Sequence, residues 1–354
     1  MRIDRQQAFS GTTAADLPVK DLKDYLASAL DGFRGPLAVA RFKGGQSNPV
    51  YRLSTPSRSY VLRRKPFGKL LPSAHAIERE FRVTSALAAR GFPVARPLHY
   101  CAETSIIGAS FYVMELVEGR VFWEPWAPGI DAADRRRLFT AMNRTIAALH
   151  TLDYAAAGLA DFGKPQGYVA RQIKRWSEQY KASETETVAE MDRLIAWLPD
   201  AAPPDSGAAI VHGDFRLDNC IVDPHRPEIA AVLDWELATI GDPLADFTYH
   251  LMTWFMPVSD SGAGVGSLIG HESDPGIPAL DDYIGEYCNL TGRASLPDLN
   301  TYMAYNFFRI AAILQGILGR VRDGTAANPE AANMARQVRP LAETAWAFAR
   351  KAGA

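Results

Sequence analysis

Cysteine is scarce in this chain of 354 residues: Cys101, Cys220 and Cys288 are odd in number and far apart. That excludes a disulfide framework and a clustered zinc site, and it points to a reducing, cytoplasmic setting. An excess of charge of either sign is also lacking, with 38 basic against 40 acidic residues. Such a balance lacks the broad basic footprint of a nucleic-acid binder, so no nucleic-acid partner is expected and the substrate has to be read from local motifs. Long apolar runs are missing as well. The N-terminal MRIDRQQAFSGTTAADL has no apolar signal core, and the most apolar stretch, 306–318, carries Arg309 and Gln315. No membrane association is therefore expected, and that stretch reads as a helix buried in a soluble protein. No internal repeat is visible, which argues against a solenoid.

What is present is enough apolar material, 47% of residues, for a sizeable core, and a length that suggests two unequal lobes. After a polar leader, residues 21–30 form an amphipathic pattern that Gly35 and Pro36 close, so 1–35 reads as leader and helix. β-prone runs follow at 37–42, 50–53 and 60–65. A helix then starts after Ser73 as a candidate cap and ends at Arg90, before Gly91 and Pro93. Within it Ile77, Glu80, Thr84 and Leu87 recur at helical spacing, which turns Glu80 inward and leaves Glu78, Arg82 and Ala89 on another side. Runs at 97–103 and 110–116 complete an antiparallel sheet of five strands with one main helix.

Beyond Asp131 the pattern is helical. Leu138, Met142, Ile146, Leu149 and Leu152 make one stripe, and further helices are expected over 168–180 and 187–197, and from Pro243, Leu280, Leu299 and Pro329. A loop at 201–207 and a hairpin over 220–223 and 229–234 interrupt them. The order predicts an α+β fold with a sheet-rich lobe over 36–117 and a larger, mainly helical lobe over 118–354.

The segment richest in chemistry is IVHGDFRLDNCIVDPHRPEIAAVLDWELATIGDPLAD, residues 210–246. Asp214 and Asn219, with four residues between them, have the spacing of a kinase catalytic loop, in which the acid orients the attacking hydroxyl and the amide ligates magnesium. Asp234 follows a hairpin, which can return it beside Asn219 so that two oxygen ligands share one magnesium ion. Asp242 before Pro243 is a helix cap candidate.

The HGDFRLDN segment and the later LDWE resemble those of the aminoglycoside phosphotransferase and choline-kinase-like superfamily, over about residues 36–339. FKGGQSNPVYRL, YVLRRKP, LLPSAHAIEREFRV and VARQIKRW are more narrowly similar to the phosphotransferase domain associated with acyl-CoA dehydrogenases. The resemblance implies a protein-kinase-like bilobal fold that binds ATP and Mg2+ and moves the γ-phosphate to a hydroxyl of a small molecule. It also implies roles: Asp214 as catalytic base, Asn219 and Asp234 as metal ligands, and Glu80 as the helix acid that anchors a cation near the phosphates. The backbone from Glu115 to Val117 corresponds to the adenine-binding hinge, and residues 43–48, with Gly44, Gly45 and Ser47, to the loop over the phosphates. The family's phosphate-binding lysine falls at Arg63, whose guanidinium can hold a phosphate bidentately, with Lys65 as the alternative.

Other matches are set aside. Asp161, Phe162 and Gly163 spell a kinase metal motif but precede the catalytic loop, and 158–164 lacks the hydroxyl residue of a phosphate-binding loop. His212 reads as structural support for the catalytic loop and His150 as a packed or capping residue, while Asp246 either braces that loop or complements a helix dipole. No activation-segment ending follows Asp234, so a peptide substrate is not expected. The acceptor remains open: a hydroxyacyl thioester of coenzyme A, met by the cationic and aromatic repeat Tyr168, Arg171, Arg175, Trp176 and Tyr180, or an aminoglycoside or choline-like amino alcohol, for which 271–282 offers acids. An ordinary amphipathic helix over 168–180 and a catalytically silent ATP-binding scaffold are the plainer alternatives.

Overall fold

The computed structural model describes residues 9–13, 17–42, 48–67, 76–258, 266–324 and 335–354. It divides into two compact units, one formed by Met1–Val121 with Cys220–Ala238, the other by Phe122–Asn219 with Thr239–Ala354.

The first unit is built on an antiparallel sheet of six strands: Phe9–Thr13 (β1), Ala38–Phe42 (β2), Val50–Ser54 (β3), Ser59–Arg64 (β4), Pro97–Cys101 (β5) and Phe111–Glu115 (β6). Their order across the sheet is β1-β2-β3-β4-β6-β5. The sixth strand corrects the five expected from sequence. FSGTT is short, polar and interrupted by glycine, so it carries no alternating apolar signal, and only its pairing of Phe9 with Phe42 and Thr13 with Ala40 makes it a strand.

The helix Val19–Ala29 (α1) buries Leu22 and Leu26, one turn apart, in the same cluster as Tyr51, Leu53, Leu62, Phe111 and Val113. Each such side chain contributes about 1.5–3 kcal/mol of burial. Strand side chains alternate, so if Leu62 faces this cluster, Val61 and Arg63 face the other side of β4. There the helix Ile77–Ala88 (α2) presents Ile77, Glu80, Thr84 and Leu87, all buried, while Glu78, Arg82 and Ala89 are exposed, as the periodicity predicts. Ser73 lies outside the described residues.

Four short strands follow later in the chain: Ala209–Val211 (β7), Cys220–Val222 (β8), Ile229–Val232 (β9) and Thr239–Gly241 (β10). β8 and β9 form the expected hairpin, with Cys220 opposite Val232, and bridges to Arg120 and Val94 join it to the first unit.

The second unit is helical, with Ala132–Thr151 (α3), Tyr168–Ser183 (α4), Ala189–Ala201 (α5), Pro243–Leu251 (α6), Leu280–Thr291 (α7), Leu299–Arg322 (α8) and Val338–Lys351 (α9). Pro329 lies outside the described residues. α8 is the central post, against which α4, α6 and α9 pack. Among the described residues no helix is long and apolar enough to cross a membrane. Three buried polar side chains of α8 each donate a bond: Asn306 to the Ala245 carbonyl, Arg309 to the Gly213 carbonyl and Gln315 to the Ser183 carbonyl. Asp242 caps α6 by accepting from the Leu244 and Ala245 amides. β7 pairs antiparallel with β10, a two-stranded sheet that three-residue strands could not announce in sequence. The bilobal, protein-kinase-like α+β class expected from sequence is the one found.

Candidate functional site

In the first unit, Arg63 is the centre of an ion cluster. Its Nε lies 2.8 Å from Glu80 Oε2, and one terminal nitrogen lies 2.9 Å from Asp234 Oδ1 and 3.5 Å from Glu236 Oε2. Glu80 also accepts from Asn48 Nδ2 at 2.9 Å and Tyr112 Oη at 3.3 Å. Burial, with the nearby charges of Glu236 and Asp234 added, pushes the Glu80 carboxyl up to about 7 despite the opposing pull of Arg63. Lys65, the alternative cation, pairs with Glu78 at 2.9 Å.

Asp234 sits just beyond β9 with φ of 63°, a left-handed conformation that non-glycine residues seldom adopt. The turn is fixed by its neighbour: Trp235 is buried against Phe92 and its indole nitrogen donates to the Val232 carbonyl. Glu115, at the end of β6, is held by Arg58 and Arg96, each at 2.6 Å, and the bond from Arg96 keeps its carboxyl below the usual range. Its amide donates to the Arg96 carbonyl, and Val117 lies two residues past the strand end. Gly44, Gly45 and Ser47 lie outside the described residues.

In the second unit, the loop between β7 and the short helix Leu217–Asn219 carries Asp214. Tyr249 donates its hydroxyl to Asp214 Oδ1 at 2.5 Å, and Arg216 Nε lies 3.1 Å from the same oxygen. Asn219 Nδ2 donates to Asp214 Oδ2 at 3.0 Å and to its carbonyl at 2.8 Å. The expected pair Asp214 and Asn219 is thus in direct contact. With its nitrogen committed, Asn219 has its amide oxygen to offer a cation.

Asp246 braces this loop, accepting the amides of His212 at 2.7 Å and Gly213 at 2.8 Å. Burial pushes its carboxyl up, but the bond from His150 at 3.2 Å, with the charges of His150 and His212, outweighs burial and holds it below its usual value. Of the two roles open in sequence, loop bracing is therefore the one realised. His150 is packed beside Tyr287, and His212 is buried with Nδ1 accepting the Asp214 amide. Tyr249 and Arg216 were not singled out from sequence, and Arg309 was read only as a charge within a buried helix. Tyr249 follows Asp246 by three residues on α6, one turn along the same face, which was the available signal.

The sequence matches set aside behave as loops. Asp161–Gly163 is irregular, and a Cβ on Gly163 would collide with β10 at Thr239 and Ile240. The repeat on α4 does not make one surface: Tyr168, Trp176 and Tyr180 are buried in the core, whereas Arg171 and Arg175 are exposed. His271 stacks on Trp126 and bonds Asp274.

Among the described residues no group of three or more His, Cys, Asp or Glu is arranged to hold a metal. Asn219 in one unit offers an amide oxygen and Asp234 in the other a carboxylate, donor types that magnesium accepts.

A model described as the phosphotransferase enzyme family matches residues 38–283, a span that holds Arg63, Glu80, Asp214, Asn219 and Asp234. The chain belongs to that family. Among the relatives of this chain, acyl-CoA dehydrogenase family member 10 of Mus musculus is 42% identical over 342 residues, covering 95% of this chain and 32% of that protein. Acyl-CoA dehydrogenase family member 11 of Homo sapiens is 40% identical over 331 residues, covering 92% and 42%. The chain thus spans about a third to two fifths of the length of these curated relatives. A Ralstonia eutropha structure assigned as an aminoglycoside phosphotransferase is 45% identical, with a TM-score of 0.85 over 95% of this chain and 99% of that one. Spectinomycin phosphotransferase, at 13% identity and a TM-score of 0.63, shares the fold.

Proposed function

We propose that this phosphotransferase moves the γ-phosphoryl group of ATP, with magnesium, to a hydroxyl of a small molecule in the cytoplasm. The observation that carries the reading is Asp214, a carboxylate fixed on both oxygens by Tyr249, Arg216 and Asn219 in a loop with kinase spacing. Asp214 orients the acceptor hydroxyl and collects its proton as the new bond forms between acceptor oxygen and γ-phosphorus. The bond from that phosphorus to the bridging oxygen breaks, and ADP leaves. Arg63, anchored by Glu80, binds phosphate oxygens; Asn219 and Asp234 are the metal ligands. Magnesium, when bound, neutralises charge on the phosphate oxygens. The loop with Gly44, Gly45 and Ser47 covers the phosphates, and the backbone of Glu115 and Val117 meets adenine.

For the acceptor, the relatives named for acyl-CoA dehydrogenases favour a hydroxyacyl thioester of coenzyme A. The Ralstonia structure's assignment favours an amino sugar as second reading. The test is a phosphate-transfer screen across hydroxyacyl-CoA, aminoglycosides, amino alcohols and sugars, with Asp214→Ala as control. Selective labelling of hydroxyacyl-CoA by the wild type alone is expected. Labelling of aminoglycosides would move the assignment to the second reading, and background turnover in both proteins would mark the chain as a silent ATP-binding module.

A further inference from the structure

The catalytic loop has a second face. Arg216, whose Nε touches Asp214, also lines a narrow cavity together with Leu217 and Asp218. Most of the remaining wall is apolar, with Trp123, Phe139, Met142 and Trp254. The cavity encloses about 20 Å3, room for one small group at a time.

Its charges are internally neutralised. Arg216 and Asp218 are 3.1 Å apart, so the carboxylate in the wall already has its cation. His250, also in the wall, is driven by burial down to about 4 and is neutral at physiological pH. His250 Nδ1 and the Thr253 hydroxyl, both in the wall, have no hydrogen-bond partner among the described residues, and of the two the hydroxyl can both donate and accept; Thr253 is 8% exposed. A buried hydroxyl without a partner costs roughly 1–3 kcal/mol, which a ligand oxygen can recover.

We infer that this cavity is the specificity slot for the acceptor, taking a short neutral carbon arm next to the reacting hydroxyl and bonding one oxygen on that arm through Thr253. The inference rests on the phosphotransfer reading and narrows its substrate class. An ammonium on the arm is disfavoured, because it would enter an apolar slot whose carboxylate is already paired. An arm with no polar atom is accommodated but leaves Thr253 unsatisfied.

Three probes share one head group and differ only in the arm: propylene glycol carries a hydroxyl, isopropanolamine an ammonium and isopropanol a hydrogen. ADP release with each acceptor is measured beside ligand-observed NMR titration of each on the whole chain. The diol is expected to be preferred by about tenfold over both others, the order that satisfying one buried hydroxyl gives. Thr253→Val reduces that preference to less than twofold, and Thr253→Ser restores it, which separates a lost hydroxyl from a misfolded helix end. Preference for isopropanolamine, or a diol preference that survives Thr253→Val, overturns the slot. Absence of ADP with every acceptor counts against phosphotransfer alone. In that case the NMR titrations decide the slot: a diol preference lost in Thr253→Val supports it, and equal binding of the three probes overturns it.

Discussion

Tyr249 donates its hydroxyl to Asp214 Oδ1 at 2.5 Å, with the Arg309 guanidinium over its ring at 5.1 Å. Burial, and then the Asp214 charge, raise the phenol well above its ordinary value, so it stays a donor throughout the working range. Tyr249→Phe keeps the ring and loses the bond. Because a hydrogen bond to a charged group is worth about 1.5–3 kcal/mol, kcat should fall about tenfold while KM for ATP stays unchanged. Steady-state kinetics check this, and a kcat within twofold of wild type would remove Tyr249 from the positioning of Asp214.

Glu80 links the Arg63 cluster to pH. Its carboxyl moves from 4.5 to about 7 on folding, a raised value, so its contribution to stability is fully present below about 4.5 and is lost as pH rises through about 7. Glu80→Gln cannot titrate. Relative to wild type, the melting temperature of Glu80→Gln should therefore be higher at about pH 8 than at about pH 5, as read by thermal unfolding. An offset that does not change with pH contradicts the shift.

Asp246 satisfies two buried amides and faces His150, so Asp246→Ala strands all three groups. Removing one member of such a buried set costs about 3 kcal/mol, and urea denaturation should show a loss of that order. Because its carboxyl is held below 3.8, the contribution is present above that pH and lost as pH falls through the folded value. The difference between wild type and Asp246→Ala should shrink in acid.

Asn219 and Asp234 are proposed to bind magnesium through oxygen. Asn219→Ala and Asp234→Asn should each raise the magnesium concentration for half-maximal rate by about tenfold or more, and chelation should abolish turnover reversibly in the wild type. A magnesium dependence matching wild type in either variant removes that residue from the ligand set.

The sequence by itself determined whatever depends on local spacing. A period of 3.6 placed Glu80 on the buried side of α2, the four-residue gap fixed Asp214 and Asn219 to one loop, and apolar continuity with Arg309 and Gln315 marked α8 as buried. The α+β order of a sheet lobe before a helical lobe was legible for the same reason. Tertiary structure alone decided what depends on partners distant in the chain. β1 is a strand because β2 bonds it, and β7 and β10 exist only as a pair. Asp246 became a brace because the amides it accepts lie more than thirty residues away. Tyr168, Trp176 and Tyr180 went to the core because α8 covers them, which parted them from Arg171 and Arg175. The physical reason is common to all four: hydrogen bonds and burial are settled by neighbours in space, and one helical or strand period reports only on neighbours in sequence.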